Sequence, residues 1–98
     1  MSYNGWSNYE TWNVKLWMDN DGSLEYWEET AREIAGRDGK DSAANELAGM
    51  LKDSFQENAP DLGASCYSDL LGAALSEVDW YEIAEAILSD IEITEDAE

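Results

Sequence analysis

The chain contains no histidine, one cysteine, one proline and one phenylalanine, and only five lysines and arginines among 98 residues. Without histidine, the commonest general base and the commonest metal-binding side chain are both missing. Cys66 has no partner for an internal disulfide, and among so many carboxylates, with no nearby cation, its thiolate is scarce. It reads as a buried structural residue. No glycine-rich phosphate loop occurs, and with 23 acids in 98 residues carboxylate pairs of the kind glycosidases use arise by chance. The expectation is no catalytic residue, no enzyme activity and no cofactor. No apolar run approaches the roughly 20 residues of a membrane span, and the opening MSYNGW lacks the basic and apolar regions of a signal peptide. A protein of a reducing cytoplasm with no membrane partner is expected.

The few cations are also confined. Lys15, Arg32, Arg37, Lys40 and Lys52 are all of them, and the 13 acids from residue 53 onward meet no basic residue in their half of the chain. Of the net −18, about −5 lies in the first 52 residues and −13 beyond. Direct nucleic-acid binding depends on neutralising phosphates with Lys and Arg, so this charge excludes it.

What is present is enough for a core. A hydrophobic content of 44% with five Trp and five Tyr suits one folded domain over residues 1–93, followed by a solvated acidic tail at 94–98. The local signals are helical. In SNYE, Ser7 and Glu10 form a capping box, and in DWYE Asp79 and Glu82 form another, with Val78 and Ile83 as its hydrophobic staple. A third helix start falls at Ser23, after the turn DNDG. Leu24, Trp27, Ala31 and Ile34 then recur at helical spacing until Gly36 and Gly39 end the run. Ala43, Leu47, Met50, Leu51 and Phe55 share one side of the next segment, which Pro60 and Gly63 stop. SDLLGAALSEV forms a fourth helix weakened by Gly72. A last helix turns Trp80, Ile83, Ala84, Ile87, Leu88 and Ile91 inward. The fold class is all-α, a single domain of four or five short helices. The alternative is α+β, because TWNVKLW (residues 11–17) and DIEIT alternate with a strand period, the latter giving a strand at 91–94.

Two further patterns need a reading. Taking Gly22 as the glycine of a calcium loop places Asp19, Asp21 and Glu28 on ligand positions, but Trp17 then occupies the first, where an oxygen is required. The segment reads as a helix-to-helix turn, and no metal site is expected. Trp12, Trp17, Trp27 and Trp80 fall where helical spacing puts core residues. Trp6 and Tyr3 precede the first helix, either packing over the core's edge or anchoring an interface.

The charge is the informative feature. Glu25, Glu29 and Glu33 follow at i, i+4, i+8, about 6 Å apart along one helix, and Glu82, Glu85 and Glu92 line the exposed side of the last one. Like charges at that spacing cost a few tenths of a kcal/mol per pair, so a surface shaped by folding alone would intersperse Lys. Duplex DNA carries one charge per about 1.7 Å, so eighteen charges equal roughly 30 Å of duplex, about the width expected of a 98-residue globule.

The run YNGWSNYETWNVKLWMDNDG, with YWEETA following, resembles a motif of small proteins of phages and other mobile elements over about 30 residues. The C-terminal part is similar in composition to phage DNA-mimic antirestriction and anti-CRISPR proteins. Together these resemblances imply an inhibitor that enters the DNA channel of a host defence nuclease or surveillance complex, with carboxylates standing in for phosphates; the charge pattern along the helices puts Glu25, Glu29, Glu33, Glu82, Glu85 and Glu92 in that place. Two other readings stay open: an acidic adaptor for some other basic protein, and a halophilic surface without mimicry.

Overall fold

Helix α1 (Tyr9–Asp21) begins at Asn8, whose backbone is extended and whose side-chain oxygen accepts the amide of Thr11. The computed structural model describes residues 3–91; Glu92 and the tail assigned to 94–98 lie outside the described residues. The helix absorbs TWNVKLW whole, so the strand alternative at 11–17 is not realised. Its inward face is Thr11, Val14 and Met18, at helical rather than strand spacing. Gly22 alone joins α1 to α2 (Ser23–Asp38): its φ of +86° closes one helix and opens the next. Asp21 accepts the amide of Ser23 at 2.9 Å, satisfying a donor that a cap would otherwise take.

Gly39 alone joins α2 to α3 (Lys40–Glu57), and its amide bonds back to the Ala35 carbonyl. Gly36 lies inside α2, so only the second of the two expected stops acts. After a loop containing Pro60 and Gly63, α4 (Cys66–Glu77) starts at Ser65, which accepts the amide of Ser68. The last helix, α5 (Trp80–Asp90), is capped by Asp79 as expected, through the amide of Glu82 at 3.0 Å. The described residues thus form five helices and no strand beyond the single bridge between Tyr3 and Trp6, a small all-α domain.

Helix α3 is the centre, packed most heavily on α5 and α2. Ala43, Ala44, Leu47 and Leu51 from α3 meet Trp27, Ala31, Ile34 and Ala35 from α2, and Trp80, Ile83, Ala84, Ile87 and Leu88 from α5. Removing such side chains from water at about 25 cal/mol per Å² is the main stabilising term. Met50 does not join them; it sits at the edge of the α3 stripe, 36% exposed. Helix α4 buries no residue fully and reaches the rest through α1, with half-buried Leu75 touching the core.

The tryptophans divide. Trp27 and Trp80 are in the core, Trp12 is half-buried, and Trp17 is 59% exposed. Neighbouring Met18 takes the inward position, and one residue of helix rotates Trp17 about 100° away from it. Trp6 packs against the core's edge. Cys66, expected to be buried, is exposed at the start of α4.

The N-terminal motif acquires a structural meaning that sequence reading missed. Tyr3 and Trp6 exchange both backbone hydrogen bonds, at 2.6 and 2.8 Å, around Asn4 and Gly5, with φ of +50° and +92°. Two consecutive positive φ values filled by Asn-Gly are the signature of a tight two-residue hairpin turn. The turn folds the Tyr3 ring onto Tyr9 and Trp12, with centroids 5.4 and 4.9 Å away. Ser7 is not the cap of α1. Its amide donates to Glu82 Oε1 at 3.0 Å, and Asn8 caps instead because it bonds three ways. Its Oδ1 accepts the Thr11 amide and hydroxyl, and its Nδ2 donates to the Glu77 carbonyl at 2.7 Å. Thr11 in turn accepts the Asp79 amide at 2.8 Å. The motif ties the start of the chain to the α4–α5 junction.

Candidate functional site

The α2 carboxylates project directly away from the core. Trp27, Ala31, Ile34 and Ala35 define the buried side, and at 100° per residue Glu25, Glu29 and Glu33 fall on the opposite one. All three are exposed. None is in an ion pair among the described residues, where the salt bridges are Lys15–Asp19, Arg37–Asp38 and Arg37–Glu46. Arg32 stands beside the ladder and was not foreseen as part of it. Together with Glu25, Glu28, Glu29 and Tyr26 it lines a shallow groove of about 600 Å³. The face is therefore dominated by carboxylates but contains one cation.

On α5, Glu82 and Glu85 lie opposite the buried Trp80, Ile83, Ala84, Ile87 and Leu88. Glu85 is exposed as expected, whereas Glu82 is half-buried and bound by the Ser7 amide. The N-terminal segment covers this part of the helix, so Glu82 is a tether as well as a surface charge. Glu92 lies outside the described residues. Glu82 and Glu85 line a second groove with Gly5, Trp6, Ala86 and Ser89. That groove shares no lining residue with the one on α2. Of the expected carboxylates within the described residues, Glu25 and Glu29 line the groove on α2, Glu82 and Glu85 line the one on α5, and Glu33 lines neither.

The calcium-like loop is built as a turn. Asp19 holds Lys15 at 2.8 Å, Asp21 is engaged with Ser23, and Trp17 points to solvent. The Ser23 amide holds the Asp21 carboxyl below the usual carboxylate range. A hydrogen bond from Arg37 does the same for Asp38, and the Arg37 guanidinium, between Asp38 and Glu46, is pushed up in turn. Among the described residues no helix is long and apolar enough to cross a membrane.

Asn4, to which the sequence assigns no role, shapes the site through the turn, and Trp6, expected at the core's edge or at an interface, packs on that edge and lines the groove. The signal that would have found the turn is the Asn-Gly pair between two aromatic residues.

Comparison with curated proteins and with solved structures returns no match. Over residues 1–97 the chain matches DUF7249, a family of unknown function, and it belongs to that family.

Proposed function

We propose that the protein is an inhibitor that occupies the DNA-binding channel of a host DNA-handling protein, a defence nuclease or surveillance complex, with its carboxylates in place of phosphates. The observation that supports this most is the Glu25, Glu29, Glu33 ladder, exposed opposite the core and outside the ion pairs. A stretch of like charges costs folding free energy, and a cationic groove recovers that cost on binding. The elongated shape, 54 × 28 × 23 Å, suits a channel made for a nucleic acid. It also changes the charge arithmetic. The described residues carry nineteen acids and five cations, and their net −14 over 54 Å is one charge per about 4 Å. That is nearer the 3.4 Å spacing of one strand than the 1.7 Å of a duplex.

The test is competition. Excess cognate DNA and this protein should exclude each other from the partner. Changing Glu25, Glu29 and Glu33 to Gln should leave the fold intact and weaken binding by about 1 to 3 kcal/mol in total. Simultaneous binding of protein and DNA, with the partner gripping or cutting normally, removes mimicry and leaves an acidic adaptor for a basic protein.

A further inference from the structure

The groove between the N-terminal turn and α5 is built differently from a bare acidic surface. Trp6 forms one wall, and its backbone is fixed at both its amide and its carbonyl by the hairpin bonds to Tyr3. Glu82 enters the groove with Oε1 already held by the Ser7 amide, while Oε2 has no protein partner among the described residues. Glu85 follows one helical turn later on the same side, and Gly5 and Ala86 leave the space between open, a volume of about 460 Å³. No cation lines it. The groove therefore offers an indole carried on a hydrogen-bonded turn, one carboxylate already held by the Ser7 amide, and a second, exposed carboxylate one helical turn away.

We propose that this groove receives the guanidinium of an arginine side chain presented by the protein's partner, with Trp6 as the stacking face and Glu82 and Glu85 as the anionic acceptors. The proposal rests on the reading that the partner is cationic, and names the side chain it uses here. Guanidinium fits on three counts: it is planar and stacks on aromatic rings, it spreads its donors in a fork that matches carboxylates, and it is weakly hydrated. An ammonium is a compact, strongly hydrated point charge that gains less from the indole. Calcium takes six to eight oxygen ligands, and among the described residues no group of three or more metal-ligating side chains gathers here; a quaternary ammonium wants a cage of several rings.

The site can be tested on the full chain with small probes. N-acetyl-arginine amide and N-acetyl-lysine amide, titrated to millimolar concentrations, are followed in proton–nitrogen NMR spectra through the Trp6 indole and the Gly5 and Ser7 amides. The arginine probe should give saturable shifts at these three positions, with an affinity about three- to fivefold above that of the lysine probe. The double change Glu82→Gln with Glu85→Gln should weaken the arginine probe about tenfold. The carboxamide that replaces the carboxylate of Glu82 still offers an oxygen to the Ser7 amide, so the groove stays assembled. The Glu25→Gln, Glu29→Gln, Glu33→Gln triple variant should bind the probe as the wild type does. Equal response to both probes, or shifts confined to α2, overturns the proposal. The outcome is separable from mimicry: arginine binding that persists where DNA exclusion fails upholds this site alone, and DNA exclusion without any Trp6 response places the contact elsewhere and overturns the groove.

Discussion

Thr11 is the only polar side chain buried among the described residues. Its hydroxyl donates to Asn8 and accepts the Asp79 amide, so a contact 68 residues apart in the chain is closed through one oxygen. Thr11→Val keeps the shape and leaves the Asp79 amide without its partner, which should cost about 1 to 3 kcal/mol. Thr11→Ser keeps the hydroxyl and gives up one methyl, about 0.8 kcal/mol. Urea unfolding should therefore rank wild type above Ser above Val; a valine variant as stable as the serine one contradicts the role given to this bond. Asp38 allows a second residue-scale test. Its carboxyl is held low by Arg37, and a carboxylate with a depressed folded pKa contributes stability above its unfolded value that disappears as pH falls through the folded one. The difference in stability between wild type and Asp38→Asn should stay nearly constant from neutral pH to about pH 5 and shrink below the usual value of 3.8. Thermal melts across that range measure it, and a difference that grows on acidification has the wrong sign.

At the scale of elements, the five helices differ in how firmly they are held. Four of them each bury three or more residues, and α4 buries none. Tyr67 and Leu70 on it are 71% and 62% exposed. A helix with few buried contacts opens by local fluctuation rather than global unfolding. Amide hydrogen exchange should accordingly be fastest in α4 among the helices, and protection there equal to that of α3 would show a tie that the packing does not reveal. Helix α2 carries an element-scale weakness of another kind. Gly36 is helical, and a methyl added to it meets nothing within 4 Å, so Gly36→Ala should stabilise by about 0.5 to 1 kcal/mol. The same change at Gly22, whose φ is +86°, should destabilise, because an L-residue there is strained. Opposite signs from one substitution type in chemical denaturation would support both assignments. These two glycines also show where sequence legibility ended. The turn at Gly22 was readable from the flanking Asp and Asn, whereas Gly36 and Gly39 both qualify as stops, and it is Gly39 that occupies the positive-φ position.

For the whole molecule the dominant fact is 23 acids against five cations, a net charge of −18. Self-repulsion of that kind opposes the compact state, and of the three ion pairs among the described residues the two made by Arg37 are surface pairs worth little. Screening should then stabilise the fold. Raising salt from about 20 mM to about 0.5 M, which shortens the Debye length from roughly 20 Å to a few Å, should raise the melting temperature by several degrees, corresponding to about 1 kcal/mol. A fall in melting temperature would mean that the few attractive pairs outweigh the repulsion. Binding to a cationic partner should respond in the opposite direction and weaken with salt. Opposite salt responses of stability and binding are expected of a molecule whose charge is unfavourable for folding and favourable for association.

The sequence alone determined the helices and most of the core, because their signals are local. The Asp79 cap, the turn at Gly22 and the inward stripes of α2, α3 and α5 each involve residues within a few positions of one another, where backbone geometry leaves few choices. Tertiary structure decided what depended on distant partners. Ser7 and Asn8 both satisfy a local capping rule, and Asn8 prevails because Glu77 offers its amide a carbonyl while Glu82 draws the Ser7 amide away. Trp17 and Met18 are both apolar, and the rotation at which α1 meets its neighbours exposes the larger one. Glu82 appeared as one surface carboxylate among many; a hydrogen bond spanning 75 residues makes it the anchored wall of a groove. A periodic pattern shows which side of a helix is apolar, but it carries no record of which segment will lie across the other side.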